Sequence, residues 1–370
     1  MSDLDDLRAS VREFLIDKSG EQQVRAAIET PAGYDEALWE QMAGQLGLPG
    51  LALPEEYGGD GFGFAELQVV LEELGRFLTP GPFFSSVVLA AGAILAAGDE
   101  VAAKAYLPGI ASGTTTAALA VAEAGGPWSL RGIKSTAISV PNAPWRLSGT
   151  KQLVLNGATA DLLIVAAHTD AGPGFFAVEA GAPGLTRTAL TSLDLTRPLA
   201  TVELDDVPAT LIGTAGAAAE TALGAVLDRA MTALAAEQAG AARACLEASA
   251  SYAREREQFG RPIGSFQAVK HKCADMLVKV ELAQAAANEA ARAASGDPDA
   301  APLPKAAAVA HAVCSENFMF VAMENIQVHG GIGFTWEHPA HLYFRRAKAS
   351  QLLFGGPGFY YEHLLARSGL

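Results

Sequence analysis

The side chains best able to do chemistry lie in two short stretches of the C-terminal half. In Arg256-Glu257-Gln258-Phe259-Gly260 a guanidinium stands three residues from an aromatic ring, and Gln267 follows. A guanidinium is a planar, permanently charged donor suited to phosphate oxygens. In Gln327-Val328-His329-Gly330-Gly331 an amide precedes two glycines, which let backbone N–H groups approach an anion. Taken singly, these residues read as an exposed arginine, a core phenylalanine and a helix-ending glycine pair. Glu237, in Ala-Ala-Glu-Gln-Ala-Gly, is a carboxylate in an apolar helical pattern, an uncommon place for an unpaired charge. His329 and His338 stand nine residues apart across a Gly-rich turn, with no cysteine or carboxylate at ligand spacing, so no metal is assigned. His271, in Gln-Ala-Val-Lys-His-Lys-Cys, reads as a helix-surface or interface residue.

Elements long enough to position such groups are legible in the pattern. Residues 1–110 read as helical; Leu38, Met42 and Leu46 recur at four-residue spacing before Gly47, a C-cap. Further helices are expected over Phe64–Phe77 and about 85–97. From about 112 to 213 the texture changes to Thr, Val, Leu and Gly, and five runs look like strands, among them WRLSGTKQLVL, DLLIVAAHT and LATVELDDV. Strands in series without a long helix between them suggest an antiparallel barrel or sandwich. From 215 onward the chain is Ala-rich and helical, over about 217–256, 266–294 and 304–329. Helices this long and apolar pack in a bundle or across a subunit interface. The expected organisation is α+β and multidomain: an N-terminal helical domain (1–111), a middle β domain (112–214) and a C-terminal helical bundle (215–370).

Bulk properties narrow the function. At 370 residues several packed layers are the default, and a net charge of −15 argues against broad binding to nucleic acid or anionic membrane. No uninterrupted apolar run approaches a membrane span, and the acidic, amphipathic start differs from a secretory signal, so a cytoplasmic protein is expected. Cys245, Cys273 and Cys314 are far apart and fit buried thiols in a reducing compartment.

Four motifs, in order over nearly the whole chain, resemble the acyl-CoA dehydrogenase superfamily. They are Leu48-Pro49-Gly50-Leu51-Ala52-Leu53-Pro54-Glu55-Glu56-Tyr57-Gly58-Gly59; Leu147-Ser148-Gly149-Thr150-Lys151 with Asn156-Gly157 and Ala160-Asp161; Tyr252 to Gln267; and Gln327 to Gly333 with Arg345-Arg346-Ala347-Lys348. The resemblance implies an N-terminal helical domain, a β-barrel and a C-terminal four-helix bundle. It also implies FAD as cofactor, an acyl-CoA thioester as substrate and electron-transfer flavoprotein as a partner. In that chemistry a carboxylate removes the α-proton while the β-hydrogen leaves as hydride, so a positioned base and a polarised thioester carbonyl are required.

The resemblance also places each FAD between two subunits, and the two halves of that site differ here. The half that holds a neighbour's nucleotide is complete: Arg256, Phe259, Gln267, Gln327, Gly330 and Gly331 all match. The flavin-ring half is not. Across Ala122-Glu123-Ala124-Gly125-Gly126-Pro127-Trp128-Ser129, the Thr, Pro and Ser of the family loop become Ala122, Ala124 and Trp128. The Trp and Thr that pack on the ring and bond near N5 fall on Leu153 and Leu155, and leucine donates no hydrogen bond. The two positions of the family base fall on Phe354 and Ala230. Asp228 needs a register shift inside a helix to replace it. Glu237 is a weak substitute, two turns away, and reads better as a cap or an intersubunit ion pair. Glu362-His363 belongs to a tail helix facing solvent.

The resemblance is therefore to partner subunits of actinobacterial heterotetramers of the sterol side-chain type, built as α2β2 with two FADs. On that reading the chain lends the ADP side of a shared site, and a homologous subunit supplies the flavin pocket and base. A homomeric dehydrogenase with a displaced base, and a flavin-dependent oxygenase or scaffold on the same fold, are the alternatives.

Overall fold

The computed structural model describes residues 3–125 and 128–367. Six helices come first: α1 (Asp3–Lys18), α2 (Glu21–Ile28), α3 (Glu36–Leu46), α4 (Phe64–Arg76), α5 (Ala91–Ala96) and α6 (Glu100–Ala111). The ends of α3 follow from its sequence. Asp35 accepts from the N–H groups of Ala37 and Leu38, and Gly47 closes the helix at φ 62°. The apolar helix expected over 85–97 is split: a π-helical segment, Phe84–Ala90, runs into α5.

Seven strands follow: β1 (Ala117–Ala120), β2 (Thr136–Ile138), β3 (Trp145–Leu155), β4 (Leu162–Thr169), β5 (Gly172–Glu179), β6 (Leu185–Leu190) and β7 (Leu199–Ile212). β4 pairs with β5, β5 with β7, β7 with β3, β3 with β2 and β2 with β4, so five strands close a barrel. β1 adds to β4 and β6 to β7. Both β1 and β2 run parallel to β4, against the all-antiparallel expectation. Leu147, Val154, Leu163, Val165, Phe176, Val202 and Val207 fill the interior. β2 and β6 escaped the sequence reading because they are short and mostly face outward, which leaves no apolar run to detect.

The remainder is α7 (Ala217–Glu255), a hairpin of β8 (Glu257–Gln258) and β9 (Arg261–Pro262), α8 (Gln267–Ala294), α9 (Leu303–His329), α10 (Ala340–Leu352) and α11 (Pro357–Arg367). Alanine explains how α7, α8 and α9 come so close. Ala235, Ala239, Ala283, Ala287, Ala290, Ala306 and Ala310 form one buried seam. The segment Leu303–Phe334 is long and apolar enough to cross a bilayer by length and composition, yet it carries Lys305, Glu316 and Glu324 and its apolar window is 67% buried inside this chain. α4 and α7 touch backbone to backbone: a Cβ on Gly240 would lie 1.9 Å from the Glu72 carbonyl oxygen, and one on Gly75 would lie 2.0 Å from that of Glu237.

Candidate functional site

Side chains close the flavin-ring half of the expected site. Trp128 meets Phe354 edge to face at 4.9 Å, and Phe84 stacks with Phe354 at 6.3 Å. Phe354, where the resemblance seeks a glutamate, is only 3% exposed. Its backbone is left-handed, φ 65°, and its carbonyl accepts from the Tyr360 hydroxyl at 2.6 Å. The next carbonyl, Gly355, is bonded to His311 Nε2 at 3.0 Å, and His311 packs edge-on against Tyr360. Burial pulls the His311 imidazole below its usual range, the bond to Gly355 opposing it. An apolar, braced plug of this kind offers nothing to take an α-proton. Leu155 is buried in the core beneath it, whereas Leu153 is half exposed at φ 55°. Ala230 is fully buried and Asp228 half-buried on α7.

Glu237 lies beside the plug and is not free. Arg197 Nη2 reaches both of its carboxylate oxygens at 2.6 Å, and Arg346 Nη1 is bonded to Oε1. Arg346 Nε also pairs with Asp194 Oδ2 at 2.7 Å, and its Nη2 donates to the Thr196 hydroxyl, which in turn donates to Asp194. The Arg197 guanidinium also lies over the Phe84 ring at 5.3 Å. Two guanidiniums thus face two carboxylates in a buried network joining the turn before β7, α7 and α10. The ion-pair reading of Glu237 holds, with one change: its partners come from its own chain. The space left is a cavity of about 40 Å³, bordered by Phe84, Leu155, Asn156, Arg197, Glu237 and Arg346. Ligand pockets run to several hundred cubic ångströms, so this remnant is an order of magnitude too small.

A second ion pair sits on the barrel. Lys151, fully buried on β3, donates to Glu123 Oε1 at 2.7 Å, and the Glu123 carboxylate also accepts from the Ser135 hydroxyl and the N–H groups of Lys134 and Ser135. Burial alone would raise the Glu123 carboxyl, but these donors outweigh it and hold it down at about 2. Burial pulls the Lys151 ammonium below its usual value, with Glu123 opposing.

The other end of the molecule is open. Arg256 caps the C-terminus of α7, its N–H bonded to the Tyr252 carbonyl and its own carbonyl accepting from Ile263. The β8–β9 hairpin then projects Phe259, 91% exposed at φ 56°, with Gly260 at φ 75°. The core reading of Phe259 is therefore wrong. Its ring meets the edge of Phe266, itself covered by the Arg261 guanidinium at 4.2 Å. Gln267 begins α8 and Gln327 lies in the last turn of α9, both exposed. Gly330 ends α9 at φ 65°, and a Cβ placed on Gly260, Gly330 or Gly331 would meet nothing within 4 Å. Tyr252 and His329 stack at 4.4 Å, which brings the ends of α7 and α9 together. Exposed donors, an aromatic ring and uncrowded glycines fit the phosphates and base of a dinucleotide, although the Gly330 N–H is itself bonded to the Gln327 and Ile326 carbonyls; the plugged centre does not fit an isoalloxazine.

The remaining residues fall as follows. His271 is exposed on α8, and Glu362 is exposed on α11, while the side chain of His363 and the residues Gly126 and Pro127 lie outside the described set. Among the described residues no three His, Cys, Asp or Glu side chains gather as a metal site would require. The Asp194–Arg346–Glu237–Arg197 network was missed from sequence. Its members come from Arg345-Arg346-Ala347-Lys348, from Glu237 on α7 and from Asp194-Leu195-Thr196-Arg197 before β7, three stretches far apart in the chain.

Three family models match in order: acyl-CoA dehydrogenase N-terminal domain over residues 2–114, middle domain over 118–207 and C-terminal domain over 212–366. Acyl-CoA dehydrogenase IpdE2 of Mycobacterium tuberculosis is 34% identical over 95% of this chain and 92% of its own. Among solved structures, a variant of the Tcur3481-Tcur3483 steroid ACAD superposes with a TM-score of 0.88 at 37% identity, covering 99% of this chain and 98% of that one. The ChsE4-ChsE5 complex from Mycobacterium tuberculosis gives 0.89 at 31% identity, covering 100% and 98%.

Proposed function

The chain belongs to the acyl-CoA dehydrogenase family, an FAD-dependent family, and from that premise we propose that it acts as the non-reacting subunit of a heteromer. It lends its Arg256–Gln267 and Gln327–Gly331 face to the ADP side of an FAD whose ring, base and acyl-CoA pocket belong to a homologous partner chain. Bound there, FAD supplies hydride acceptance for Cα–Cβ oxidation of the thioester. The contribution of this chain is grip: Arg256 as a bidentate donor to phosphate, Gln327 as an amide donor, Gly330 and Gly331 as positions without a side chain that allow close approach, and Phe259 as a ring surface. The observation that supports the reading is the buried Trp128–Phe354–Phe84 contact, formed by residues that motif spacing sets at the expected thioester loop and base positions. Two of the superposing structures are named as pairs of subunits, which supports an α2β2 partner of sterol side-chain type; electron-transfer flavoprotein is the acceptor that the family suggests.

The test is flavin stoichiometry. Purified alone the chain is expected to be colourless or insoluble, and co-expressed with its homologue to give yellow protein near half a flavin per chain. A full flavin complement in the isolated protein overturns the proposal. The homomeric alternative asks Glu237 to be the base, but its carboxylate is engaged by two buried guanidiniums, Oε1 by both and Oε2 by Arg197, which disfavours a role in taking a substrate proton.

A further inference from the structure

Three rings pack in series, tilted by 33° and 45° to one another, where the open face is anchored. Tyr252 on α7 lies against His329, the last residue of α9, and His329 lies against His338 at 4.3 Å. Between the two histidines runs the corner Gly330–Phe334, a single 3₁₀ turn carrying the two open glycines. The corner wraps closely around the stack: a Cβ on Gly333 would lie 2.9 Å from the Cβ of His329. Each imidazole is held by a bond, but only the one at His338 requires a neutral ring, because donation from His329 Nδ1 to a carbonyl survives protonation. His329 Nδ1 is bonded to the Asn325 carbonyl at 2.8 Å, and Asn325 is itself fixed by Ser249. His338 Nδ1 accepts the N–H of Ala340, the first residue of α10, at 3.2 Å, so it must carry a lone pair there.

We propose that the Tyr252–His329–His338 stack is a pH-sensitive latch that fixes the Gly330–Phe334 corner while both imidazoles are neutral and releases it when the pair takes up a proton. An imidazolium at His338 loses its acceptor for the first N–H of α10. It also sets a positive charge at a helix N-terminus, where the backbone dipoles repel it. The groups facing the pair add to this. Arg25 from α2 and His341 from α10 are cationic or become so; Glu21 from α2 is the opposing charge; Arg345 stands over Trp336, whose ring abuts His341. Tyr252 covers the remaining face with an uncharged ring. Burial, followed for His338 by the neighbouring His329, pulls both imidazoles below their ordinary value of 6.5. The sign follows: the folded chain binds the proton less well than the unfolded one, so the latch is whole above about pH 6.5 and weakens as pH falls below it. The two histidines titrate as a pair rather than singly.

The inference rests on reading the glycine corner as a nucleotide contact, so its test keeps the two apart. Hydrogen exchange at the backbone of residues 330–335 is measured at pH 7.5 and 5.5, corrected for intrinsic rate, beside ADP binding at the same two values. In the unmodified protein, protection falls by up to about tenfold per proton taken up, since pH 5.5 lies one unit below the ordinary histidine value, and ADP binding weakens with it. His338→Asn keeps an acceptor for Ala340 without a titrating charge and is expected to stay protected at both values. His338→Ala is expected to be unprotected at both. Parallel loss in the unmodified and Asn proteins overturns the latch, as does ADP binding that tightens in acid with exchange unchanged. No ADP binding at either pH overturns the nucleotide reading, and the exchange pattern of the Asn variant still decides the latch, even should the Ala variant fail to fold.

Discussion

The plugged centre and the open end lie on the same helices and differ in how their polar groups are satisfied. Around Glu237 the charges are buried and paired within the chain, and three aromatic rings fill the space beside them. Around Arg256 and Gly330 the ring, the guanidinium and the glycines face outward, and Phe259 is left bare in a backbone conformation that costs a bulky residue about 1 kcal/mol or more. Self-sufficient packing needs no ligand. A strained, exposed aromatic beside uncrowded glycines is a surface that the chain itself leaves uncovered.

The sharpest way to break this contrast is Glu237→Ala. It leaves two buried guanidiniums short of a counter-charge and is expected to cost about 3–5 kcal/mol in denaturant unfolding. Loss of turnover in the complex with unchanged stability would instead make the centre an active site. Next comes Phe354→Ala, which removes the middle ring of the plug and is expected to cost about 3 kcal/mol without conferring flavin on the isolated chain; absorbance near the flavin bands after refolding with FAD checks this. Arg256→Ala reverses the pattern. Chain stability is expected to hold within about 0.5 kcal/mol, while the flavin affinity of the complex falls by about 1.5–3 kcal/mol, the worth of a charge-assisted hydrogen bond. The smallest effect belongs to the barrel. Because the Glu123 carboxyl is held at about 2, its contribution is present above pH 4.5 and is lost as pH falls from there toward 2. Glu123→Gln is expected to flatten the acid limb of the unfolding curve over that range, and an unchanged limb would remove the pair from the account.

Long elements were legible because their periodicity is long. β3 and β4 appear at the residues expected, and α7, α8 and α9 begin and end within one residue of the positions expected. The barrel closure was not, since pairing β2 with both β3 and β4 depends on three residues with no apolar signature. At the site, single substitutions such as Phe354 and Trp128 could be placed by motif spacing, and their mutual contact gives the absence a shape. The Arg346–Asp194 and Arg346–Glu237 pairs could not be read. Each joins residues more than a hundred positions apart, and sequence alone does not say which charges meet. Phe259, which taken singly reads as a core residue, shows that aromatic character predicts burial only where the chain itself supplies the cover.

α7 is an unbroken rod, and both Glu237 and Arg256 ride on it. Nineteen residues of rise place Arg256 about 28 Å along the axis from the paired carboxylate, and the backbone contact between Gly240 and Glu72 clamps one end. The rod is thus a ruler: no hinge lies between the two marks. One alanine inserted after Leu246 would leave Glu237 seated, yet would swing Arg256 through about 100° and push it about 1.5 Å outward.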